Sequence, residues 1–354
     1  MERRIADMAI DIAKLDESIA RQNDKMPFSG VVLVREKGKT VFAKGYGFAN
    51  RAESIPNTIN TRFGMASGAK TFTAVAICQL VERELISFDT RLRDCRGISF
   101  PEFDPAITVH HLLTHSSGMP DYFDEEVMDD YEALWRDRPM YNIRTPKDFL
   151  PMFQNQKMKF APGARWSYNN AGFVVLGLIV EQLTGESFPM YIEANILTPC
   201  DMKDTGYFAM DRLPERTAYG YIEDETGNGW KTNFYAVQII GGGDGGAYTT
   251  ASDMVKFWEA LLNNRLLSKA MTERLLTPHL VTSAKGGETF YGYGVWIVKK
   301  QDAIYAYYAP GQDPGVEFLS TVYPGKEVQT TTMGNTINAT WPIYDCVAAA
   351  VSAA

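Results

Sequence analysis

A serine and a lysine, Ser67 and Lys70, stand three positions apart in the stretch FGMASGAKTFTA, directly before a long apolar run. Positions i and i+3 share one face of a helix, so the lysine amine can reach the hydroxyl if Ser67 stands at the helix start. A serine becomes a strong nucleophile when a base takes its proton, and burial lowers the pKa of a lysine enough for it to serve as that base. The unpaired N–H groups of a helix start can also stabilise an oxyanion. The pair predicts covalent catalysis, although the S-x-x-K spacing also arises by chance.

A second polar pair, Tyr168 and Asn170, precedes another apolar helix, which we expect to end at Gly185. A phenol near an ammonium group can shift toward the phenolate and relay protons to a leaving group. The asparagine amide can orient both a substrate carbonyl and the lysine. The alternative is structural: the tyrosine ring packs in the core, and the asparagines at 169 and 170 cap the helix. Taken alone, this pair leaves both interpretations open.

Other stretches with histidine or glycine are weaker candidates for chemistry. Three histidines lie in HHLLTHSSG, residues 110–118, but no H-E-x-x-H motif is present, and we predict no metal site. The stretch GGGDGG at 241–246 lacks the Gly-Lys-Ser/Thr ending of a phosphate loop. We expect it to pack closely near the site, ahead of a capping box formed by Thr250 and Asp253. No G-x-S-x-G motif is present, which argues against an α/β-hydrolase.

The elements that must position these motifs include both strands and helices. Residues 5–21 have the apolar spacing of an amphipathic helix, and SGVVLVREKGKTVFAKGYGFAN predicts a hairpin that turns at EKGK. Residues 71–85 leave almost no polar face, which predicts a buried helix. Residues 90–235 indicate an insertion made mainly of helices. The remaining predicted elements are three strands and a helix, in YGYGVWIVKK, AIYAYYAPG, VEFLSTVYPG and WPIYDCVAAAVSAA.

The order of these elements predicts the fold class. Strands from both ends of the chain must share one sheet if neither group is to leave an exposed edge. We therefore expect an α/β sandwich interrupted by a helical domain. Residues 1–72 and 240–354 would form the sandwich, and residues 73–239 the mainly helical domain.

Composition narrows the classes of function. The chain has 354 residues, of which 45% are apolar and 22% charged, the balance of a globular protein. A net charge of −8 argues against nucleic-acid binding. The four cysteines are widely spaced and form no C-x-x-C pair, so we expect free thiols. The N-terminal residues lack a signal-peptide core and no apolar run is long enough to span a membrane. We expect a cytoplasmic protein, although removal of a leader would leave the same sequence.

Five stretches resemble, in order, those of one enzyme family. They are MASGAKTFTA, TVHHLLTHSSGMPDY, PGARWSYNNAGFVVLGLIVEQLTG, GGGDGGAYTTASDMVKFWEAL and YGYGVWI. Together they resemble serine hydrolases related to class C β-lactamases, D-Ala-D-Ala carboxypeptidases and their esterase relatives. The resemblance maps S-x-x-K onto Ser67 and Lys70, and Y-x-N onto Tyr168 and Asn170. It implies a five-stranded antiparallel sheet flanked by helices, with the active site between this sheet and a helical domain.

The third motif of this family differs here. In relatives a strand has Lys or His, any residue and then Gly, often before a Pro-Gly turn; the matching stretch here is YYAPGQDPG. Aligning Pro314-Gly315 with that turn places Ala309 at the basic position and retains Gly311. A register shift of one residue would instead place Tyr308 there. Gly311 permits close backbone approach, and the N–H of Gln312 is the implied second oxyanion donor.

The resemblance implies a serine hydrolase that forms an acyl-enzyme and needs no cofactor. Ser67 would attack an ester or amide, Lys70 and Tyr168 would move protons, and Asn170 would orient the reacting groups. An alanine at 309 cannot bind a substrate carboxylate. We therefore expect an esterase or peptidase-type hydrolase of small molecules or short peptides rather than an efficient β-lactamase. The alternative hypothesis is a catalytically weak relative that binds penicillin or senses a ligand. The oligomeric state is not predicted.

Overall fold

The computed structural model describes residues 9–95, 97, 99–224, 226, 229–282 and 289–354. The helices are α1 (Ile12–Lys25), α2 (Lys70–Glu82), α3 (Val109–Leu113), α4 (Asn170–Thr184), α5 (Phe188–Ile192), α6 (Ala251–Leu262), α7 (Lys269–Leu275) and α8 (Thr340–Ala353). The strands are β1 (Gly30–Glu36), β2 (Lys39–Tyr46), β3 (Phe48–Asn50), β4 (Ile55–Pro56), β5 (Phe63–Gly64), β6 (Tyr221–Glu223), β7 (Trp230–Thr232), β8 (Tyr248–Thr249), β9 (Leu280–Val281), β10 (Thr289–Tyr291), β11 (Trp296–Lys300), β12 (Ala303–Asp313), β13 (Val316–Tyr323) and β14 (Val328–Gly334).

Strands from both ends of the chain form one antiparallel sheet. In the described residues it has eight strands in the order β2-β1-β14-β13-β12-β11-β10-β9. The N-terminal strand β1 pairs with β14 along its whole length, so the prediction of one shared sheet is confirmed. The sheet is larger than the five-stranded sheet that the resemblance implied, because short strands such as β9 and β10 extend one edge.

The sheet is covered by helices on both faces, and β1 shows why. Successive residues of a strand point to opposite faces. Val32 and Val34 join an apolar cluster with residues of α1 and α8, whereas Val31 and Leu33 join the larger cluster that includes α2 and α6. A strand that is apolar on both sides is thus buried between two helical layers, and the predicted α/β architecture is confirmed.

Helix boundaries differ from the predictions in ways that have physical reasons. Helix α1 covers Ile12–Lys25, because Asp11 caps its start by accepting the N–H of Lys14 at 3.1 Å. Of the predicted helix over 5–21, residues 5–8 lie outside the described residues. The buried helix predicted over 71–85 is α2, with Lys70 as its first residue.

The middle of the chain contains less regular helix than predicted. Between α2 and α4 the described residues form only the five-residue α3 and short 3-10 turns. Prolines recur through this region, and a proline has no backbone N–H to donate to the hydrogen bonds of an α-helix. The boundaries of the proposed helical domain, 73–239, stay a prediction, since the larger apolar cluster includes residues from both parts.

Helix length also bears on membrane spanning. Within the described ranges no single helix is long and apolar enough to cross a bilayer. The segments Asn170–Thr184 and Phe188–Leu197 meet that criterion only as a pair, and they are bent by 78°. The first of them is α4, whose residues from Asn170 to Val180 are buried in the protein.

Candidate active site

Ser67 lies in a 3-10 turn, Ala66–Ala69, directly before α2. Ala66 has a φ of +44°, in the left-handed region that residues with a side chain seldom adopt. Its carbonyl oxygen accepts the N–H of Gly246 at 3.2 Å, so the glycine-rich loop holds the turn in this conformation. The close packing predicted for that loop is confirmed: a Cβ on Gly245 would lie 2.8 Å from the same carbonyl oxygen. Backbone strain at this position is thus maintained beside the candidate nucleophile.

Strand β12 passes the other side of the same turn. A Cβ on Gly311 would lie 2.0 Å from the carbonyl oxygen of Met65 and 3.0 Å from the nitrogen of Ser67, so only glycine fits there. Gln312 follows, and both Gln312 and Ser67 line one cavity. The residues Pro314-Gly315 form the turn between β12 and β13, where the alignment with the third motif requires them.

Position 309 lies on this strand two residues before Gly311. Ala309 pairs with Ser320 on β13, is 2% exposed and belongs to the larger apolar cluster. Its neighbour Tyr308 lies on the opposite face of β12, where its ring stacks on Trp296 at 5.9 Å between centroids. The side chain at the position that this alignment gives to the basic residue is a buried methyl group.

Lys70 is buried and makes three polar contacts. Its amine nitrogen lies 2.9 Å from Oγ of Ser67, 2.8 Å from Oδ1 of Asn170 and 2.5 Å from the carbonyl oxygen of Asp244. Burial lowers the pKa of Lys70, and nearby carboxylates, Asp244 first, offset only part of that effect. A lysine with a lowered pKa in contact with a serine hydroxyl has the geometry and the chemistry of a general base.

The two asparagines have separate roles, which distinguishes the interpretations left open by the sequence. Asn169 caps α4: its Oδ1 accepts the N–H of Gly172 at 2.7 Å. Asn170 does not cap the helix but directs its amide oxygen to Lys70. The amide can therefore fix the position of the lysine amine, while its neighbour stabilises the helix.

Tyr168 lies over Lys70, whose amine nitrogen is 4.9 Å from the ring centroid. Burial raises the pKa of the Tyr168 phenol well above its ordinary value, and the charge of Glu125 raises it further. A hydrogen bond with Ser67 lowers the pKa but does not reverse the direction. The phenol is thus not drawn toward phenolate here, because desolvation outweighs the hydrogen bond with Ser67. A phenol that keeps its proton can still donate it to a leaving group.

Two buried residues hold the backbone at the start of α4, residues 169–171, and neither was predicted as a site residue. His115 packs against Tyr168 with 4.4 Å between ring centroids, and its Nδ1 accepts the N–H of Asn169 at 3.1 Å. Asp121 accepts the N–H of Asn170 at 2.6 Å and that of Ala171 at 2.9 Å. Both lie in the quoted stretch TVHHLLTHSSGMPDY, whose order in the resemblance was the available signal.

The other motifs from the sequence lie away from the reacting groups. His110 Nδ1 is 2.9 Å from the hydroxyl of Tyr293, and Nδ1 of His111 is 3.2 Å from the N–H of Thr108 at the start of α3. The capping box predicted for α6 is only half formed. Thr250 accepts the N–H of Asp253 at 3.2 Å, but the Asp253 carboxylate accepts from Asp204 and Thr205 instead.

The cavity beside Ser67 has a volume of about 410 Å³ and an acidic lining. Asp244, Asp313 and Glu125 are among its residues, and the described part of the lining includes no Lys, Arg or His. Burial raises the pKa of Asp313 to about 7. The sequence did not lead us to predict these acids as site residues, although Asp244 lies in the quoted stretch GGGDGG and Asp313 in QDPG.

Comparisons with known proteins agree with this geometry. A family model described as Beta-lactamase matches residues 15–338. The chain is 31% identical over 291 residues to Penicillin-binding protein 4* of Bacillus subtilis (strain 168), an alignment that covers 78% of this chain and 61% of that relative. It is 27% identical over 267 residues to Esterase EstB of Burkholderia gladioli, covering 66% of this chain and 65% of the esterase. The chain thus spans less than two thirds of the length of either relative.

A solved structure gives a fuller match. The penicillin binding protein from Bacillus halodurans superposes with a TM-score of 0.88 and is 49% identical, covering 94% of this chain and 99% of that one. The fold, the paired Ser67 and Lys70 and the family match lead to one conclusion. The chain belongs to the Beta-lactamase family, and the proteins it is similar to include penicillin-binding proteins and an esterase.

Proposed function

We propose that the protein forms an acyl-enzyme at Ser67 on ester or amide substrates, and that it is an esterase or peptidase-type hydrolase rather than an efficient β-lactamase. The observation that carries the proposal is the contact between the buried Lys70 amine and the Ser67 hydroxyl, at 2.9 Å. In the first step Lys70 takes the hydroxyl proton as Ser67 Oγ attacks the carbonyl carbon. The backbone N–H groups of Ser67 and Gln312 stabilise the oxyanion.

Acylation is complete when the leaving group takes a proton and departs. Deacylation then needs a water molecule. Tyr168 gives its phenol proton to the leaving alcohol or amine and recovers one through Lys70. Water then attacks the acyl carbon, with the same groups acting in reverse, and releases the acid. A cavity of about 410 Å³ fits a small molecule or the end of a short peptide.

Substrate class follows from the charge of the site. The buried Ala309 offers no cation to bind a substrate carboxylate. Both β-lactams and D-Ala-D-Ala peptides have such a carboxylate. An alanine there supports activity on substrates without that carboxylate. Esterase EstB among the relatives is consistent with an ester substrate.

Labelling and kinetics together test the proposal. A fluorophosphonate probe should label the wild-type protein at Ser67, identified by peptide mass, and should not label Ser67→Ala. Short-chain p-nitrophenyl esters should be turned over faster than nitrocefin. Absence of labelling in the folded protein would reject the nucleophile. Labelling of Ser67 by the fluorophosphonate without turnover of any p-nitrophenyl ester or of nitrocefin would favour the ligand-sensing alternative.

A further inference from the structure

His115 has a backbone conformation that few residues with a side chain adopt. Its φ is +56°, in the left-handed region, where histidine, asparagine and aspartate occur more often than most other residues. The residue lies just after α3 and is 1% exposed. Backbone of this kind persists only where surrounding contacts hold it, and it is frequent at functional sites. The contacts of His115 therefore indicate what this conformation serves.

Those contacts lie on both sides of Tyr168 in the sequence. The carbonyl oxygen of His115 accepts the N–H of Ser167 at 2.8 Å, and its ring nitrogen Nδ1 accepts the N–H of Asn169 at 3.1 Å. The His115 ring also packs against the ring of Tyr168, with 4.4 Å between centroids. One residue thus holds the backbone immediately before and immediately after Tyr168, and it contacts the side chain as well.

The bond from Asn169 determines where the imidazole has its proton. Because Nδ1 accepts a backbone N–H, it cannot hold a proton itself, and a neutral ring must then have its proton on Nε2. In a charged ring, Nδ1–H and the N–H of Asn169 would be two donors facing each other. Burial lowers the pKa of His115 well below its ordinary value, and the charge of Lys70 lowers it further. His115 is therefore neutral, with its proton on Nε2.

The surroundings of the ring suit a structural contact rather than proton transfer. Nε2 is buried and has no hydrogen-bond partner among the described residues. Four aromatic rings surround the imidazole, with centroids 4.4–6.3 Å away, those of Tyr168, Tyr291, Phe173 and Trp166. The one hydrogen bond of the imidazole goes to the backbone of the segment that contains Tyr168. An imidazole bound in this way holds that segment in place.

We infer that His115 is a positioning residue for Tyr168, and that the bond from the Asn169 N–H to Nδ1 provides this role. The Tyr168 hydroxyl makes a hydrogen bond with Ser67, and a misplacement of about 1 Å in such a group can cost roughly 10²-fold in rate. The inference rests on the proposed function, in which Tyr168 gives its proton to the leaving group, for its effect on rate. The state of the His115 ring can be measured without any turnover.

The choice of leaving group reveals whether Tyr168 is well placed. Ethoxide must take a proton to leave, whereas p-nitrophenolate is stable enough to leave without one. Ethyl butyrate and p-nitrophenyl butyrate have the same acyl group. Their ratio of kcat/KM, ethyl over p-nitrophenyl, therefore reports proton donation to the leaving group, and we call it the leaving-group ratio. The ratio measured in Tyr168→Phe gives the value without donation.

Two substitutions of similar shape separate the Nδ1 bond from packing. His115→Asn keeps an acceptor oxygen at the place of Nδ1, and asparagine tolerates the left-handed backbone. His115→Leu has no acceptor, and both variants lose the ring. We expect the leaving-group ratio of His115→Leu to be about tenfold or more below that of His115→Asn. Equal ratios in the two folded variants would overturn the inference.

His115→Asn decides alone if His115→Leu does not fold. A leaving-group ratio closer to that of wild type than to that of Tyr168→Phe supports the inference. A ratio closer to that of Tyr168→Phe contradicts it, because the acceptor would then be present without effect.

A double-mutant cycle shows whether the effect passes through Tyr168. In the Tyr168→Phe background, His115→Leu should leave the leaving-group ratio unchanged, because no phenol proton remains to be placed. A further fall as large as the one in the wild-type background would contradict the inference. His111→Leu is the matched control, since Nδ1 of His111 also accepts a backbone N–H, that of Thr108, at 3.2 Å at the start of α3. Its ratio should equal that of wild type, and a fall equal to that of His115→Leu would also contradict the inference.

Spectroscopy and labelling separate this inference from the proposed function. In long-range ¹H–¹⁵N spectra at about pH 7, wild-type His115 should have its proton on Nε2 and none on Nδ1. Its signal is identified by its loss in His115→Asn. A proton on Nδ1 would overturn the inference even where fluorophosphonate labels Ser67. A proton on Nε2 without any labelling of Ser67 would support the Nδ1 bond and reject the acyl-enzyme function alone.

Discussion

The amine of Lys70 and the hydroxyl of Ser67 lie 2.9 Å apart, joined by a single turn of backbone, and two other segments of the chain hold the amine in place. The amine also contacts Asn170 on α4 and the carbonyl of Asp244 on the glycine-rich loop. These contacts fix the direction from which the amine approaches the hydroxyl. Proton transfer therefore needs no rearrangement of the lysine side chain.

Removal of the amine should suppress acylation without unfolding the protein. Lys70→Met keeps most of the side-chain volume in this buried position and removes the base. The rate of fluorophosphonate labelling should fall by roughly 10²–10⁴, the usual contribution of a general base. The labelling rate is measured as a function of pH. For wild type it should rise as pH passes through the lowered pKa of Lys70, because the neutral amine is the form that acts as base. A variant that keeps this pH profile would show that another group is the base.

Tyr168→Phe tests proton donation separately from packing. The variant keeps the ring that packs against His115, with 4.4 Å between centroids, and loses only the phenol oxygen. We expect a large fall in kcat with little change in Tm, because the variant removes only the phenol oxygen, which makes a hydrogen bond with Ser67. Tyr291→Phe is a matched control, since that ring also packs against His115, with 4.6 Å between ring centroids. Equal losses of kcat in both variants would indicate that the aromatic cluster, not the Tyr168 proton, is required.

Asp313 should make stability depend on pH. Its pKa is about 7 in the folded protein against an ordinary 3.8, so the folded state holds the proton more tightly than the unfolded state does. The free energy of unfolding therefore falls as pH rises from about 4 to 7, at up to about 1.4 kcal/mol per pH unit. Asp313→Asn removes this loss. In urea unfolding the Asp313→Asn variant should have a higher free energy of unfolding than wild type at pH 8. The two values should be nearly equal at pH 4.

The control for that experiment is Asp129→Asn, because Asp129 lines the same cavity as Asp313 but is exposed. Its difference from wild type should be the same at both pH values. A stabilisation by Asp313→Asn that is equal at pH 4 and pH 8 would mean that the amide acts through packing. In that case ionisation of Asp313 would not account for the effect.

Ala309→His restores the type of residue that the family motif has at this position. It should raise kcat/KM for a penicillin relative to a neutral ester by roughly tenfold to a hundredfold, the effect of one charge-assisted hydrogen bond. It should also lower the free energy of unfolding by about 1–3 kcal/mol, since the alanine is only 2% exposed. Ala309→Leu adds similar volume without charge. If the ratio of kcat/KM for the penicillin to kcat/KM for the neutral ester is equal in both variants, the imidazole does not reach the substrate.

Much of the site could be predicted because its residues are close in sequence or follow a strong pattern. Ser67 and Lys70 stand one helical turn apart, and the apolar run after them reveals a buried helix. The hairpin of β1 and β2 follows from its β-branched runs and glycine turn. Such local signals need no knowledge of the rest of the fold.

What could not be predicted depends on contacts across the chain. Strand β14 was missed because its central residues are threonines, which look like surface residues, yet Thr330 and Thr332 are buried at the middle of the sheet. The direction of the Tyr168 pKa depends on desolvation by elements distant in sequence. The acidic cavity arises because Asp244 and Asp313 belong to segments that meet only in the folded protein.

The left-handed backbone at Ala66 has a consequence for how the protein acquires its reactivity. The conformation is held by Gly246 and by the close approach of Gly311, which are 180 and 245 positions away in the sequence. Local structure alone cannot maintain it, so a partly folded chain should have an unreactive serine even where α2 has formed. Labelling of Ser67 is then a probe of complete folding: in a urea titration it should disappear together with the last tertiary structure, not with the first helix to melt.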